Sequence, residues 1–286
     1  MSYSTSIYFF IARSFRSLPS FKGKLRLSRL LIPKKIFNSE RIDITGKYNC
    51  HYQLPNLIDS IGWELFINGV YEINTIQFIV NHVRPNAIII DIGSNIGAIS
   101  IPVSKLRKDV FIYSIEASKF MFEILLNNIE LNGINNIKPI QIAIADQSSN
   151  DVSFYSPKQQ FGKGSFSPVF TKEAEKVTAI SIDQWLIEEQ IKTVDLIKID
   201  IEGFEYLAFK GGAKLFNAEN APDIIFEFVD WAEAQAQICA VGGAQQILLS
   251  YGYHLFSIDK KNKFFPVNEV MFKGASMLFA TKSKLF

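Results

Sequence analysis

Short apolar runs alternate with helix-like segments from about residue 87 onward. An apolar run that ends at an acid or a glycine is typical of a buried parallel strand, and apolar residues three or four positions apart indicate a helix packed on it. The alternation therefore predicts a doubly wound α/β sheet. The predicted strands are residues 87–92, 110–115, 137–144, 194–199 and 223–228, followed by an antiparallel pair at 253–258 and 276–281.

Residues 147–193 interrupt this alternation between the third and fourth predicted strands. Their centre, residues 161–168, is rich in glycine and serine, which is typical of a loop. Ser181 and Gln184 then form a capping box that predicts the start of a helix. Because a long insertion near the ligand edge of a sheet is often functional, we consider a substrate lid and an ordinary surface excursion as alternatives.

Charge is distributed unevenly along the chain. Residues 1–50 carry ten Lys and Arg against two acids, whereas residues 51–286 carry 20 basic and 26 acidic residues. We therefore divide the chain into a basic N-terminal extension, residues 1–50, and one domain, residues 51–286. The pattern favours a helical extension packed on the domain, and contact with an anionic membrane or glycan is the alternative. The basic residues include Arg13, Arg16, Lys22, Lys24, Arg26, Arg29, Lys34 and Lys35.

Chain length, hydrophobic content and cysteine positions indicate the type of protein and its cellular setting. A chain of 286 residues that is 48% hydrophobic can form one large domain with an extension. Cys50 and Cys239 lie too far apart for a metal-binding motif and form no disulfide framework, which predicts a reducing, cytoplasmic setting. The apolar stretch at residues 7–12 is too short to span a bilayer. Peripheral contact with the inner membrane face through residues 1–50 remains the alternative.

The first predicted strand runs into a glycine-containing turn, residues 91–97, with the sequence Asp-Ile-Gly-Ser-Asn-Ile-Gly. Open α/β sheets bind ligands at this end of their strands. A carboxylate at Asp91 would repel a pyrophosphate but suits a cation such as the amino group of S-adenosylmethionine (SAM). Gly93 and Gly97 leave room for the backbone to approach a ligand. A dinucleotide site is the rival interpretation, although the G-x-G-x-x-G pattern is incomplete because its third position is Asn95.

Three further segments carry candidate cofactor contacts. Glu116 ends the second predicted strand, where a carboxylate can accept both ribose hydroxyls of an adenosine cofactor. Ala145 could flank an adenine ring and Asp146 could accept from its exocyclic amine. Glu72 precedes a predicted helix and could reach the amino end of the cofactor. A helix N-terminal acid is the structural alternative for Glu72 and Glu116.

Three acids follow the fourth predicted strand, in the segment Lys-Ile-Asp-Ile-Glu-Gly-Phe-Glu at residues 198–205. If the extended backbone continues, Asp200 and Glu202 point to the same side. Crowded carboxylates cost free energy unless they meet a cation, a metal or hydrogen-bond donors, so this segment predicts a site. Either acid could take the proton of an acceptor hydroxyl during methyl transfer. A divalent cation held by both is the alternative.

Taken together, these segments resemble the FkbM-type family of SAM-dependent methyltransferases. The resemblance runs from about residue 69 to residue 230, through the segments around Glu72, Asp91, Glu116, Asp146 and Asp200. Ser94 stands where the family often has alanine, and Ala117 where it often has proline. The resemblance implies a class I, Rossmann-like sheet of seven mostly parallel strands with the last antiparallel, in which Ser94 and Asn95 belong to the cofactor loop.

The resemblance also implies O-methylation, commonly of sugar hydroxyls in polysaccharides or of natural products. We therefore expect a SAM-dependent O-methyltransferase that acts on a polysaccharide, glycolipid or glycosylated natural product, with no metal in the site. A SAM-binding partner module without catalysis and an NAD-dependent oxidoreductase are the alternatives. No nucleic-acid partner is expected, because residues 51–286 are acidic overall and no Pro-Pro-Tyr-type motif follows the fourth strand.

Overall fold

The computed structural model describes residues 3–19, 21–33, 41–259 and 262–283. Within them the strands are β1 (Ile42–Thr45), β2 (His51–Leu54), β3 (Ile88–Ile92), β4 (Phe111–Ile115), β5 (Ile137–Ile140), β6 (Ala143–Ala145), β7 (Ser149–Phe154), β8 (Glu175–Ser181), β9 (Leu196–Ile199), β10 (Asp223–Val229), β11 (His254–Ile258), β12 (Phe264–Pro266) and β13 (Ala275–Thr281). The helices are α1 (Tyr3–Ser17), α2 (Lys24–Leu31), α3 (Ser60–Asn68), α4 (Ile73–His82), α5 (Ser100–Leu106), α6 (Lys119–Leu131), α7 (Ile182–Glu188), α8 (Glu205–Gly211), α9 (Ala213–Asn217), α10 (Asp230–Ala236) and α11 (Gly243–Ser250).

The central sheet has the order β12-β11-β13-β10-β9-β3-β4-β5. Strands β5, β4, β3, β9 and β10 run parallel, and β13 pairs antiparallel with both β10 and β11. The predicted doubly wound, mostly parallel α/β fold is thus confirmed, but the sheet has eight strands instead of seven. The additional strand β12 forms an edge because Phe264 packs edge-on against Phe78 and contacts Phe279.

The two faces of the sheet bury alternate residues of each strand. Ile89 belongs to the core that faces α3, α4, α5 and α6, whereas Ile90 belongs to the core that faces α7, α8, α9 and α11. Strands buried on both sides need apolar residues at nearly every position, which explains why β3 reads Ile-Ile-Ile-Asp-Ile. The single acid in this run is therefore exceptional.

The predicted third strand, residues 137–144, is wrong in its extent. The central sheet keeps only β5, and β6 turns away to form a three-stranded sheet in the order β6-β8-β7. The partners come from the insertion: Ala143 pairs with Ala179 and Ile144 with Ile180. An apolar run alone cannot reveal this division, because the pairing partner lies more than 30 residues along the chain.

The N-terminal extension packs against the domain. Arg16 donates from Nε to the carbonyl of Phe66 at 2.9 Å and from a terminal nitrogen to that of Thr45 at 2.7 Å. Strand β1 pairs with β2 across residue 50, where we divide the extension from the domain, and that division stays a prediction. Lys34 and Lys35 lie outside the described residues. No helix of the described chain combines the length and apolarity needed to cross a bilayer.

Asn128 on α6 joins the N-terminal hairpin to the turn after β3. Its side chain is fully buried, accepts from the amide of Gln53 at 2.7 Å and donates to the carbonyl of Ile96 at 3.0 Å. We expect Asn128→Ala to lower the free energy of unfolding by about 2–4 kcal/mol, because it leaves both backbone groups without a partner. Urea denaturation measures the loss, and Asn150→Ala on exposed β7 serves as the control. Equal stability of the two variants would contradict the role assigned to Asn128.

Candidate active site

A cavity lies at the carboxyl ends of β3, β4 and β9, where parallel sheets bind ligands. It encloses about 810 Å³, including its open mouth. The strand ends and the turns after them form its floor, and the insertion forms its cover. The floor includes Ile92, Gly93, Ser94, Asn95, Ile115, Glu116, Lys198, Asp200 and Glu202, and the cover includes Phe154, Phe161, Gly162, Ser165 and Phe166.

The turn after β3 is shaped by contacts within the protein. Gly93 has a φ of +76°, and a Cβ atom there would lie 2.0 Å from the carbonyl oxygen of Asp200. The amides of Gly93 and Ser94 both donate to the carbonyl of Ile115 at 3.0 Å, and the Ser94 hydroxyl bonds to the same oxygen. We attributed Gly93 to the approach of a ligand, but the space of its missing side chain is filled by the neighbouring strand end.

Gly97, like Gly93, is required by contacts within the protein. Its φ is +82°, and a Cβ atom would lie 2.7 Å from Ile101 and 3.0 Å from Leu125. This glycine lets the start of α5 pack against α6, so it supports the turn from behind. Both glycines are thus required for the turn, and only Gly93 lies on the cavity wall.

Asp91 does not line the large cavity. Its carboxylate accepts from the hydroxyl of Ser100 and lies 3.3 Å from Nζ of Lys198, in a small adjoining cavity. Both members of the ion pair are almost completely buried. The contact of Asp91 with the amino group of SAM stays a prediction, whereas its contact with Lys198 is direct.

Glu116 occupies the position expected of a ribose-binding residue. It lines the cavity, and its carboxylate accepts from the amides of Asn95 at 2.9 Å and Ser118 at 2.8 Å. Burial raises the pKa of Glu116 to about 7, against the opposing effect of these two amides. These two hydrogen bonds from backbone amides fix the plane of the carboxylate. They therefore also fix the directions in which its remaining lone pairs can accept hydrogen bonds.

The predicted adenine contacts lie elsewhere. Neither Ala145 nor Asp146 lines the cavity, and Asp146 pairs at 2.9 Å with the half-exposed Lys210. The cavity wall at this point is formed by Ile142, Ala143 and Ile144. These apolar side chains suit the face of an adenine ring, whereas the contacts of Ala145 and Asp146 with adenine stay predictions.

Asp200 and Glu202 both reach the cavity, but by a different backbone path than the one predicted. The strand ends at Ile199, and Glu202 has a φ of +54° followed by Gly203 at +95°. The chain therefore makes a tight turn instead of continuing extended. Asp200 lies 3.7 Å from Nζ of Lys198, and Glu202 lies at the cavity wall beyond it.

Asp91, Asp200 and Glu72 are the carboxylates that act on the charge of Lys198. Burial raises the pKa of Glu72 to about 7, that of Glu202 to about 7 and that of Glu227 to about 9, and the charge of Asp200 adds to each effect. Burial lowers the pKa of Lys198, but the charges of Asp91 and Asp200 outweigh it and raise that pKa above its ordinary value. A region rich in carboxylates suits a positively charged ligand.

Glu72 differs from Asp200 and Glu202 in its position, at the start of a helix and beside a second cavity. It begins α4 with a φ of +42°, and its carboxylate accepts from the hydroxyl of Thr75 at 3.1 Å. It lines a second cavity together with Glu227 and Ser276, on the side of β10. Among the described residues, no group of three or more His, Cys, Asp and Glu side chains is arranged to hold a metal ion.

The insertion 147–193 covers the cavity and is tied to its floor. Nδ2 of Asn95 donates to the carbonyl of Phe161 at 2.8 Å, and the amide of Gly162 donates to Asp59 at 3.1 Å. Beside these contacts, Nζ of Lys163 lies 4.7 Å from the ring centre of Phe170 and 5.0 Å from that of Trp231.

Several residues of the site escaped the sequence prediction. Lys198 carries a signal that could have been used, since a lysine inside an apolar strand must have a buried partner. Phe161 and Ile61 carry no such signal. They reach the cavity because the insertion folds back onto the start of α3, a contact between distant parts of the chain.

Lys198 offers a direct test of this arrangement. We expect Lys198→Met to lower the free energy of unfolding by about 3–5 kcal/mol, because it leaves the buried Asp91 without its cation. Lys210→Met, which breaks the exposed pair with Asp146, should lower the free energy of unfolding far less, because exposed ion pairs contribute little. Urea denaturation compares the two variants, and Asp91→Asn combined with Lys198→Met should recover part of the loss. Similar small effects at both lysines would refute the importance of the buried pair.

The two ends of the cavity differ in character. One end combines apolar walls with Glu116, which suits the ring and ribose of an adenosine, and the other is acidic, which suits the sulfonium and amino groups of SAM. The residues present therefore fit this cofactor.

Comparison with known proteins agrees with this geometry. A family model described as the methyltransferase FkbM domain matches residues 91–255, more than half of the chain. The tRNA(Phe) (4-demethylwyosine(37)-C(7)) aminocarboxypropyltransferase of Methanocaldococcus jannaschii is 29% identical over 120 residues, which cover 42% of this chain and 45% of that protein. The chain thus spans less than half the length of this curated relative.

Two solved structures are similar at low sequence identity. A TehB-like SAM-dependent methyltransferase from Corynebacterium glutamicum has a TM-score of 0.44 and 14% identity, over 76% of this chain and 92% of that one. M. jannaschii TYW2 in complex with AdoMet has a TM-score of 0.41 and 14% identity, over 84% and 86% of the two chains. On the strength of the family match, the chain belongs to the FkbM methyltransferase family and its cofactor is SAM.

Proposed function

We propose that this methyltransferase is an O-methyltransferase that methylates a sugar hydroxyl of a polysaccharide, glycolipid or glycosylated natural product. The observation that carries the proposal is Glu202, a carboxylate on the cavity wall whose pKa is raised to about 7 by burial and by Asp200. An alcohol is a weak nucleophile until its proton is removed, and a base with a pKa near neutrality is suited to that task.

SAM supplies the methyl group on a positively charged sulfur. The acceptor oxygen forms the new bond to carbon as the carbon–sulfur bond breaks, so S-adenosylhomocysteine leaves and the hydroxyl proton goes to Glu202. Glu116 would orient the ribose, and the acidic end formed by Asp200 and Glu72 would hold the cationic part. Alignment of the two reactants is the main contribution that the protein can make to such a displacement.

Two aromatic side chains beside Lys163 support a carbohydrate acceptor. Trp231 is 41% exposed, and Phe170 meets it edge-to-face at 5.8 Å. The flat face of an aromatic ring suits the apolar face of a sugar ring, and Lys163 and Glu202 provide hydrogen-bonding groups beside it. In this proposal the insertion 147–193 is a substrate lid that holds the acceptor against SAM.

The charge of the cavity disfavours a nucleic acid as acceptor. Asp200 and Glu202 line its acidic end. A polyphosphate backbone would meet these acids instead of the clustered lysines and arginines that usually neutralise it. One relative carries tRNA in its name, so tRNA belongs in the experiment as a competing acceptor.

Transfer of a tritiated methyl group from SAM tests the substrate class. The acceptors are methyl glycosides of hexoses and deoxyhexoses, a glycolipid extract and tRNA transcripts. Labelled methyl groups that are found on a sugar and remain attached in mild alkali support the proposal. A methyl ether resists alkaline hydrolysis, whereas a methyl ester is cleaved. Label in tRNA alone would overturn it.

Substitution of Glu202 tests the proton acceptor. We expect Glu202→Gln to lower kcat by about 100- to 10,000-fold, because the amide cannot take the proton, while the Kd for SAM changes by less than about threefold. The wild-type rate should rise with pH and level off above about 7, where Glu202 is ionised. Glu173→Gln, on the exposed part of the insertion, is the control. A Glu202→Gln enzyme within tenfold of the wild-type rate would exclude this role.

Calorimetry with SAM tests Glu116 separately from the acceptor. We expect Glu116→Gln to weaken SAM binding about 10- to 100-fold, because the ribose hydroxyls lose an ionised hydrogen-bond acceptor. Glu175→Gln is a matched control, since Glu175 bonds to the nearby amide of Lys119 but does not line the cavity. Equal affinities of both variants would show that the ribose lies elsewhere.

A further inference from the structure

Exposed apolar side chains are concentrated in the N-terminal helices. Among the described residues, seven of the 17 large apolar side chains that are exposed lie between residues 7 and 31. Leu30 is 81% exposed and Phe10 is 71% exposed. A group of exposed apolar side chains within one short segment marks an interaction site more often than scattered single residues do. The seven are Ile7, Phe10, Leu18, Phe21, Leu27, Leu30 and Leu31.

Helix α2 buries polar residues and exposes apolar ones, which is the reverse of the usual arrangement. Its buried residues are Lys24 and Ser28, whereas Leu27, Leu30 and Leu31 are exposed. The three leucines follow a helical spacing of three and four residues, so they form one stripe. A helix stabilised only by its own domain would bury that stripe, and α2 presents it to the surroundings instead.

Helix α1 continues the same surface. It buries Ala12 and Phe15 and leaves Ile7 and Phe10 exposed. Both α1 and α2 contact α3, so the faces opposite these contacts point away from the domain. We define the outward face as the exposed residues of the two helices and the turn between them: Ile7, Phe10, Arg13, Lys22, Arg26, Leu27, Arg29, Leu30 and Leu31.

The charge of this segment is entirely of one sign. The first acid of the sequence is Glu40, and no Asp or Glu accompanies the basic residues before it. Arg26 and Arg29 are exposed on the same helix as the leucine stripe of α2, and Arg13 is exposed on α1. Exposed apolar side chains bordered by arginines are the composition of helices that lie in the interface of an anionic bilayer.

We propose that the outward face binds to a membrane with anionic lipid headgroups, with α1 and α2 lying parallel to its surface. The leucines and Phe10 enter the region between headgroups and acyl chains, and the arginines pair with the lipid phosphates. Each basic residue near an anionic surface adds to the attraction, which falls off over a Debye length and weakens with salt. The inference goes beyond the proposed methyl transfer and does not depend on it.

A second copy of the chain is a less suitable occupant. A two-fold contact through the outward face would bring together two surfaces that carry arginines and no acid to compensate them. A bilayer supplies apolar volume and negative charge at the same time. The charge complementarity therefore favours lipid over self-association.

Flotation of the full chain with vesicles tests the proposal. We expect binding to vesicles of phosphatidylcholine with 30% phosphatidylglycerol at low salt, and at least tenfold weaker binding to phosphatidylcholine alone. The triple variant Leu27→Ser, Leu30→Ser and Leu31→Ser should lose at least tenfold in affinity for the anionic vesicles. Arg26→Gln with Arg29→Gln should remove most of the preference for anionic lipid.

The matched control is the triple variant Leu106→Ser, Leu131→Ser and Leu249→Ser, which removes three exposed leucines from other surfaces. It should bind vesicles like the wild type, and thermal melts should confirm that all variants are folded. Absence of wild-type binding, or equal binding to neutral vesicles, would overturn the proposal. So would sedimentation velocity that reveals a dimer of the wild type, lost in the first triple variant, without vesicle binding.

Discussion

The buried ion pair between Lys198 and Asp91 is the interaction on which the site depends. Lys198 lies on β9 and Asp91 on β3, so the pair links two neighbouring strands where both approach the cavity. Nζ of Lys198 also donates to the carbonyl of Gly93 at 3.2 Å, which fixes the turn after β3. Because a buried charge is costly without its partner, neither residue can be changed alone at low cost.

The pattern of apolar residues was sufficient to predict the layers of the fold and the edge that holds the site. Period and run length are local properties, so β3, β4, β9 and β10 could be placed from them. Pairing between distant segments is not local. For this reason the sequence did not predict that Ala143 leaves the central sheet, or that Phe161 reaches the cavity from an insertion.

The difference between local patterns and contacts between distant segments also explains where individual site residues lie. Glu116 follows directly from its place at a strand end, and the structure puts it on the cavity wall. Asp146 has the same position in its own segment, yet it turns toward Lys210, which comes from α8. Whether an acid at a strand end faces a ligand or a lysine depends on the element packed beside it, and a single sequence does not contain that information.

The raised carboxyl pKa values have a consequence for the stability of the protein without its ligand. Glu72, Glu116, Glu202, Glu205 and Glu227 have pKa values of about 7 to 9 in the folded chain against an ordinary value of 4.5. Between these limits the folded state binds more protons than the unfolded state, so these five side chains reduce stability as pH rises from about 4.5 to about 9. A cationic ligand reverses part of this loss. Cofactor binding and alkaline tolerance are thereby thermodynamically linked in this chain.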